Sequence, residues 1–177
     1  GKQLSGRWKI PYRKGVLKAV AYDENGSVIA TDTQSSFGDA ARIVLRPDKT
    51  VMKADGIDMI FIEISMADSN GIHVANANNR VEVAVTGAGR LVGLDNGDST
   101  DYDQYKGTSR RLFSGKLLAM IASKQEPGQI RVCVSSPGLE TEELVLEAVP
   151  CGKIPGVSAR TENYRSEPNI EIPVRKI

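Results

Sequence analysis

Cysteine, histidine and aromatic residues are scarce in this chain. Its 177 residues include two Cys, one His, one Trp, five Tyr and three Phe. The single histidine, His73, has no Cys or His neighbour in the sequence, so we expect no metal or catalytic role for it. If residues 129–135 and 143–149 form a hairpin, Cys133 lies opposite about residue 145 and out of register with Cys151. We therefore expect both thiols to be free.

The chain also lacks an excess charge and a long apolar run. Lys and Arg number 23 against 22 Asp and Glu, which argues against a nucleic-acid or anionic-lipid partner. No stretch approaches the roughly 20 apolar residues that span a bilayer. The first residues, GKQLSGRW, contain no apolar run typical of a signal peptide. If the chain is a piece of a longer protein, this leaves room for a targeting segment upstream.

What the sequence does contain is apolar alternation with a period of two. Such alternation is the pattern of strands with one buried face, and turn residues separate the alternating runs. Residues 112–122 are the one helix-like stretch, and Ser114-Gly115 interrupts it, so we expect a loop followed by a strand. The fold is therefore predicted to be all-β, a sandwich. The alternating apolar sets are Ile60, Ile62, Ile64 and Met66; Val81, Val83 and Val85; Ile130, Val132 and Val134; and Leu144, Leu146 and Ala148.

Three units are predicted along the chain. Residues 1–38 contain about three strands, near residues 7–12, 16–22 and 27–35, which is few for an independent sandwich. Asn25-Gly26 marks a hairpin turn within this unit. Residues 39–150 contain about seven strands, a complete set for an immunoglobulin-like sandwich. Residues 151–177 are a linker or tail with a candidate final strand at 170–177.

The first unit carries a resemblance to a known family. Residues 8–33, WKIPYRKGVLKAVAYDENGSVIATDT, resemble a segment that ends an immunoglobulin-like domain after the catalytic barrel in many bacterial glycoside hydrolases of family 2. The matching positions are Trp8, Pro11, Tyr12, Gly15, Leu17, Ala19, Tyr22, Gly26 and Asp32.

The second unit resembles the next domain of the same enzymes. Residues 93–122, GLDNGDSTDYDQYKGTSRRLFSGKLLAMIA, are similar to a segment of their C-terminal, non-catalytic part. Residues 41–149 as a whole also resemble the immunoglobulin-like modules of invasin-type adhesins. The positions that carry this likeness include Ala54-Asp55-Gly56, Asp68, Gly71, Gly87, Gly89, Asp95-Asn96-Gly97-Asp98 and Ser135-Ser136-Pro137-Gly138-Leu139.

The resemblance implies a non-catalytic accessory domain of a family 2 glycosidase of the β-galactosidase type. Its role would be to brace the catalytic barrel or neighbouring domains, and the other domains of the parent would be its partners. Nothing in the chain resembles the barrel or its glutamates, so no catalytic residue is expected here. The parent would be secreted, to the periplasm or beyond. Two alternatives are a carbohydrate-binding module and an adhesin-type spacer.

Pairs of carboxylates in the sequence are candidates for catalytic chemistry. Glycoside hydrolysis needs two carboxylates about 5–9.5 Å apart across a cleft. The candidates lie in flexible turns, where we expect them to stay solvated without separate acid and base roles. They are Asp95 with Asp98, Asp101 with Asp103, and Glu140 with Glu142 and Glu143.

The same acidic stretch offers oxygen ligands of the kind that calcium prefers. Residues 95–103, DNGDSTDYD, contain four carboxylates and an Asn within nine residues. They lack the spacing of the helical calcium loop, and Asp, Asn and Gly are also ordinary turn residues. We expect a turn without a cofactor, and keep calcium as an alternative.

Sugar binding would need exposed aromatic side chains. Tyr102 and Tyr105 are the expected exposed pair, with Asp95 and Asp98 beside them as candidate glycan-binding residues. Trp8 is expected to pack in the core or against a neighbouring domain. Arg110 and Arg111 are expected to be solvated or packed, with an anion site as the alternative.

Overall fold

The computed structural model describes residues 5–152, and within them every regular element is a strand. The predicted all-β class is confirmed. No helix in this part of the chain is long and apolar enough to cross a membrane. The strands are β1 Val16–Tyr22, β2 Val28–Ser35, β3 Arg42–Pro47, β4 Val51–Lys53, β5 Met59–Ala67, β6 Arg80–Gly87, β7 Gly89–Asp95, β8 Ser109–Arg111, β9 Lys116–Ser123, β10 Gly128–Ser135 and β11 Glu142–Val149.

Strands β3 to β11 form a two-sheet immunoglobulin-like sandwich. One sheet has five strands in the order β4-β11-β10-β6-β8, and the other has four in the order β3-β5-β9-β7. All neighbours are antiparallel except β4 and β11. The sandwich thus has nine strands where the sequence predicted about seven. The strands β4 and β8 have three residues each, too few to show a period.

The core lies between the two sheets and follows the predicted alternation. Ile60, Ile62 and Ile64 of β5 are fully buried, as are Ile130 and Val132 of β10. Each buried isoleucine contributes about 2–3 kcal/mol of transfer free energy. The stretch 112–122 is a turn followed by β9, as predicted, and Ser114 takes a positive φ of 50° in that turn.

The strands β1 and β2 form a separate two-stranded sheet. Their register runs from Val16 opposite Ser35 to Tyr22 opposite Val28. The turn closes at Gly26, whose φ is 81°, so the predicted hairpin is confirmed. Almost every residue of both strands is exposed. No second layer covers this sheet among the described residues.

Two predictions of local structure are wrong. No strand forms at residues 7–12, because Pro11 has no N–H to donate and no neighbouring strand of the described chain pairs there. Cys133 lies opposite Glu143 rather than residue 145, since the connection between β10 and β11 is shorter than assumed. Both cysteines are free, as predicted. The tail predicted at 151–177, with its final strand, lies outside the described residues from 153 onward.

Candidate functional site

The acidic loop, residues 95–103, is a chain of turns closed by its own side chains. The Asp95 carboxylate accepts from the Gly97 N–H at 3.0 Å, and the Asp98 carboxylate accepts from the Thr100 N–H at 2.9 Å and hydroxyl at 2.7 Å. Bonds of this type, from a side chain to the backbone two residues on, define Asx turns. The geometry is that of the ordinary turn we expected.

The other two carboxylates of the loop are paired with arginines. Asp101 Oδ2 accepts from Arg110 Nε at 3.0 Å and from Asn96 Nδ2 at 2.7 Å. Asp103 Oδ2 accepts from Arg80 Nη2 at 2.7 Å. The Asp103 N–H bonded to Asp101, helped by Asn96 and Arg110 and opposed by burial, lowers the pKa of Asp101. Both carboxylates are already matched by cations.

Arg110 is the anchor of the acidic loop. Its side chain is fully buried, its Nη1 donates to the Leu94 carbonyl at 3.0 Å, and its guanidinium lies 4.5 Å from the centre of the Tyr105 ring. Its Nη2 is buried without a hydrogen-bond partner among the described residues. The Leu94 N–H donates to the Tyr105 carbonyl at 2.7 Å, which holds the end of the loop against β7. Arg110 is therefore packed, whereas Arg111 is exposed.

The predicted glycan residues are only partly brought together. Tyr102 is 99% exposed, and Tyr105 is 55% exposed with one ring face under Arg110. Asp95 and Asp98 each use one carboxylate oxygen to accept a backbone hydrogen bond within the loop. Glycan binding and calcium binding at this loop both stay predictions. No group of three or more acidic, His or Cys side chains within residues 5–152 is arranged to hold a metal.

Other aromatic side chains are exposed as well, so the prediction that Tyr102 and Tyr105 form the one exposed pair is wrong. Trp8 is 75% and Tyr12 is 83% exposed. Trp8 does not enter a core of the described chain, because the hairpin beside it has no covering layer. His73 is half-buried and forms an isolated bridge with Ala67.

The hairpin and the segment before it present a large apolar surface, here called the hairpin surface. A cleft of about 900 Å³ lies within it, lined in part by Ile10, Tyr12, Leu17 and Phe37. Monomeric proteins rarely leave so many large apolar side chains uncovered in one region. The hairpin surface consists of eight side chains that are each more than half exposed, Trp8, Ile10, Tyr12, Val16, Leu17, Tyr22, Val28 and Ile29.

Residues 36–41 connect the hairpin to the sandwich and are here called the linker; hydrogen bonds hold it at both ends. Ser36 N–H donates to the Gly15 carbonyl at 2.8 Å, and Ser36 Oγ accepts from the Gly15 N–H at 3.1 Å. On the sandwich side, the Gly38 N–H donates to Asp68 Oδ2 at 2.8 Å. That bond and those from the Ile72 and Asn70 N–H groups lower the pKa of Asp68 against its burial. Asp68 therefore ties the linker to the turn after β5.

Known protein families and a known relative match most of the chain. Residues 43–145 match the model for the glycoside hydrolase family 2 C-terminal domain 5, and residues 1–30 match a domain of unknown function, DUF4982. The β-galactosidase BoGH2A of Bacteroides ovatus is 32% identical over 141 residues, which are 80% of this chain and 16% of that protein.

Solved structures of glycoside hydrolases also superimpose on most of the chain. A glycosyl hydrolase family 2 member from Bacteroides cellulosilyticus superimposes with a TM-score of 0.77 at 29% identity, over 80% of this chain and 18% of that one. A β-glycosidase from Bacteroides vulgatus superimposes with a TM-score of 0.74 at 33% identity, again over 80% and 18%. The chain thus spans less than a fifth of these proteins.

Proposed function

This chain belongs to the family of C-terminal domain 5 of glycoside hydrolase family 2, and from that premise we propose that it is a non-catalytic domain bracing a larger glycosidase. The observation that carries the bracing role is the hairpin surface. A two-stranded sheet exposed on both faces is at best marginally stable alone. The missing layer would come from the parent polypeptide: the 141 matched residues are 16% of the Bacteroides ovatus relative, which is therefore about five times as long as this chain.

The unit at residues 1–38 is then the last part of a preceding immunoglobulin-like domain. The match of residues 1–30 to a separate family model supports this assignment. The linker bonds at Ser36 and at Asp68 would set the angle between that domain and the sandwich. We further propose that the parent is a bacterial enzyme of the β-galactosidase type, which the name and source of its relative support, and that it is secreted.

The absence of catalysis in this chain is part of the proposal. The carboxylates of the acidic loop are engaged in turns or ion pairs, and Glu143 is paired with Arg131 at 2.7 Å. A pair with separate acid and base roles needs environments that push the two pKa values apart. We expect the 177-residue chain to show no turnover of a nitrophenyl β-galactoside while the parent enzyme turns it over. Measurable turnover by the chain alone would contradict this.

The bracing role is tested by making one substitution in two contexts. Leu17→Ser removes an exposed leucine of the hairpin surface, and Val145→Ser is the matched control on an exposed strand position of the sandwich. In the isolated chain both side chains are about half exposed, so neither substitution opens a cavity in the core. In the parent enzyme, Leu17→Ser removes up to about 2 kcal/mol of buried apolar surface.

We therefore expect Leu17→Ser to lower the melting temperature of the parent enzyme and leave the isolated chain unchanged. The control should leave both unchanged. Equal melting temperatures for the parent and its Leu17→Ser variant would show that the hairpin surface is not covered by the other domains.

A further inference from the structure

A second cleft lies where the linker meets the sandwich, and its chemistry is different from that of the hairpin surface. Its volume is about 420 Å³ and its walls are mostly polar. One wall comes from the hairpin and linker and the other from the segment between β5 and β6. The lining side chains that could contact a ligand are Lys14, Phe37 and Asp39 on the first wall and Asn76, Asn78 and Asn79 on the second.

The first wall is fixed by bonds on either side of it. The Gly38 N–H donates to Asp68, and the Ala41 N–H donates to the Ala67 carbonyl at 2.9 Å. Because Asp68 and Ala67 are both buried in the sandwich, residues 37–40 are held against it rather than free to swing with the hairpin. The cleft is therefore present before any ligand arrives.

The second wall is fixed through its backbone. The Asn79 carbonyl accepts from the Leu112 N–H at 2.9 Å, the Ala77 carbonyl accepts from the Gly115 N–H at 3.0 Å, and the Ala77 N–H donates to the Val74 carbonyl at 3.0 Å. The three asparagine side chains make no hydrogen bond with other described residues. Three carboxamides on a fixed backbone thus remain available to a ligand.

The composition of the cleft selects the class of ligand. Each carboxamide offers two donors and an acceptor, which suits hydroxyl groups that both donate and accept. Lys14 and Asp39 carry opposite charges and form no ion pair in the part of the chain that the structure describes, so the cleft is neutral as a whole. Phe37, half-buried beside the buried Val74 and Ala77, adds an apolar wall.

We propose that this cleft, the asparagine cleft, binds a neutral sugar residue, a pyranose whose hydroxyls meet the asparagines and whose C–H face meets Phe37. An anion such as phosphate or a uronate would meet Asp39 as well as Lys14, so it has no electrostatic preference for the site. The proposal does not depend on the bracing role, and it places sugar recognition away from the acidic loop.

The test is a titration of the ¹⁵N-labelled 177-residue chain with methyl β-galactopyranoside, followed by NMR. Asparagine side-chain NH₂ groups give their own cross-peaks, so the site is read directly. We expect saturable shifts of the Asn76, Asn78 and Asn79 side chains. Replacing both Asn76 and Asn78 by Ala should raise the Kd by about tenfold or more, since two hydrogen bonds to the sugar are lost.

Asn70→Ala is the matched control, because Asn70 lies in a nearby exposed turn and contributes its N–H, which the substitution keeps. It should leave the Kd unchanged. Shifts that do not saturate, or shifts confined to Tyr102 and Tyr105, would overturn the proposal. So would stronger binding of glucuronate or inorganic phosphate than of the neutral glycoside. The wild-type spectrum alone distinguishes these results, so a variant that fails to fold does not affect the test.

Discussion

The connection from β6 to β7 is expected to tolerate no side chain at Gly87. Its φ is 84°, and a Cβ added there would lie 2.1 Å from the Gln129 carbonyl oxygen of β10. That same oxygen accepts from the Ala88 N–H at 3.0 Å. Gly87→Ala must therefore push the two backbones apart and lose this bond. Gly138 supplies the comparison, with a φ of 81° and nothing within 4 Å of its added Cβ.

The two substitutions share one penalty and differ in the other. An alanine in the left-handed region loses about 1–2 kcal/mol relative to its preferred conformation, and this applies to both. The broken backbone bond adds about 1 kcal/mol at Gly87 alone. Displacement of β10, which carries the fully buried Ile130, loosens the core packing and adds about 1 kcal/mol more. We expect a loss of about 3–4 kcal/mol for Gly87→Ala and about 1–2 kcal/mol for Gly138→Ala.

Urea unfolding followed by circular dichroism measures the difference. If unfolding is two-state, the midpoints give the two losses with equal slopes. Equal losses for the two variants would refute the reasoning, because the conformational penalty would then account for everything and the contact with Gln129 would add nothing. A smaller loss at Gly87 than at Gly138 would refute it more directly.

Three further predictions concern buried or shielded groups. Arg110→Ala should destabilise the sandwich by about 3 kcal/mol, because the Asp101 carboxylate and the Leu94 carbonyl lose their hydrogen-bond partner, and the midpoint of urea unfolding should fall accordingly. Hydrogen bonds lower the pKa of Asp68 and of Asp101 below the ordinary 3.8. The stability that these two carboxylates contribute is therefore present above that pH and is lost as the pH falls below it. Urea unfolding midpoints that stay unchanged down to pH about 2 would contradict this. Burial, with Glu143 beside it, raises the pKa of the Cys133 thiol, so iodoacetamide should modify the exposed Cys151 first, as judged by mass spectrometry.

Much of the fold could be predicted because strand periodicity is local. The alternation at residues 60–66 and 130–134 identified β5 and β10, and Asn25-Gly26 identified the hairpin turn. The short strands β4 and β8 gave no such signal, since three residues cannot establish a period. The false strand at residues 7–12 came from apolar content without a partner strand to pair with.

The candidate site was less predictable, because its residues come from segments far apart in sequence. Nothing local marks Arg110 as buried rather than solvated; its burial follows from Leu94, Asp101 and Tyr105 closing around it. In the sequence, the asparagines at 76, 78 and 79 look like ordinary loop residues. In the structure, the Gly38–Asp68 hydrogen bond places the linker opposite them.

The amino-acid sequence was enough to identify the long strands, the hairpin turn and the family, since each depends on patterns within short stretches or on their order along the chain. The tertiary structure decided which side chains meet. It buried Arg110, left Trp8 and Tyr12 uncovered, and formed the asparagine cleft between two segments about forty residues apart. The physical reason is that pairing register and sheet packing, which bring distant residues together, follow from the free energy of the whole sandwich and not of any one strand.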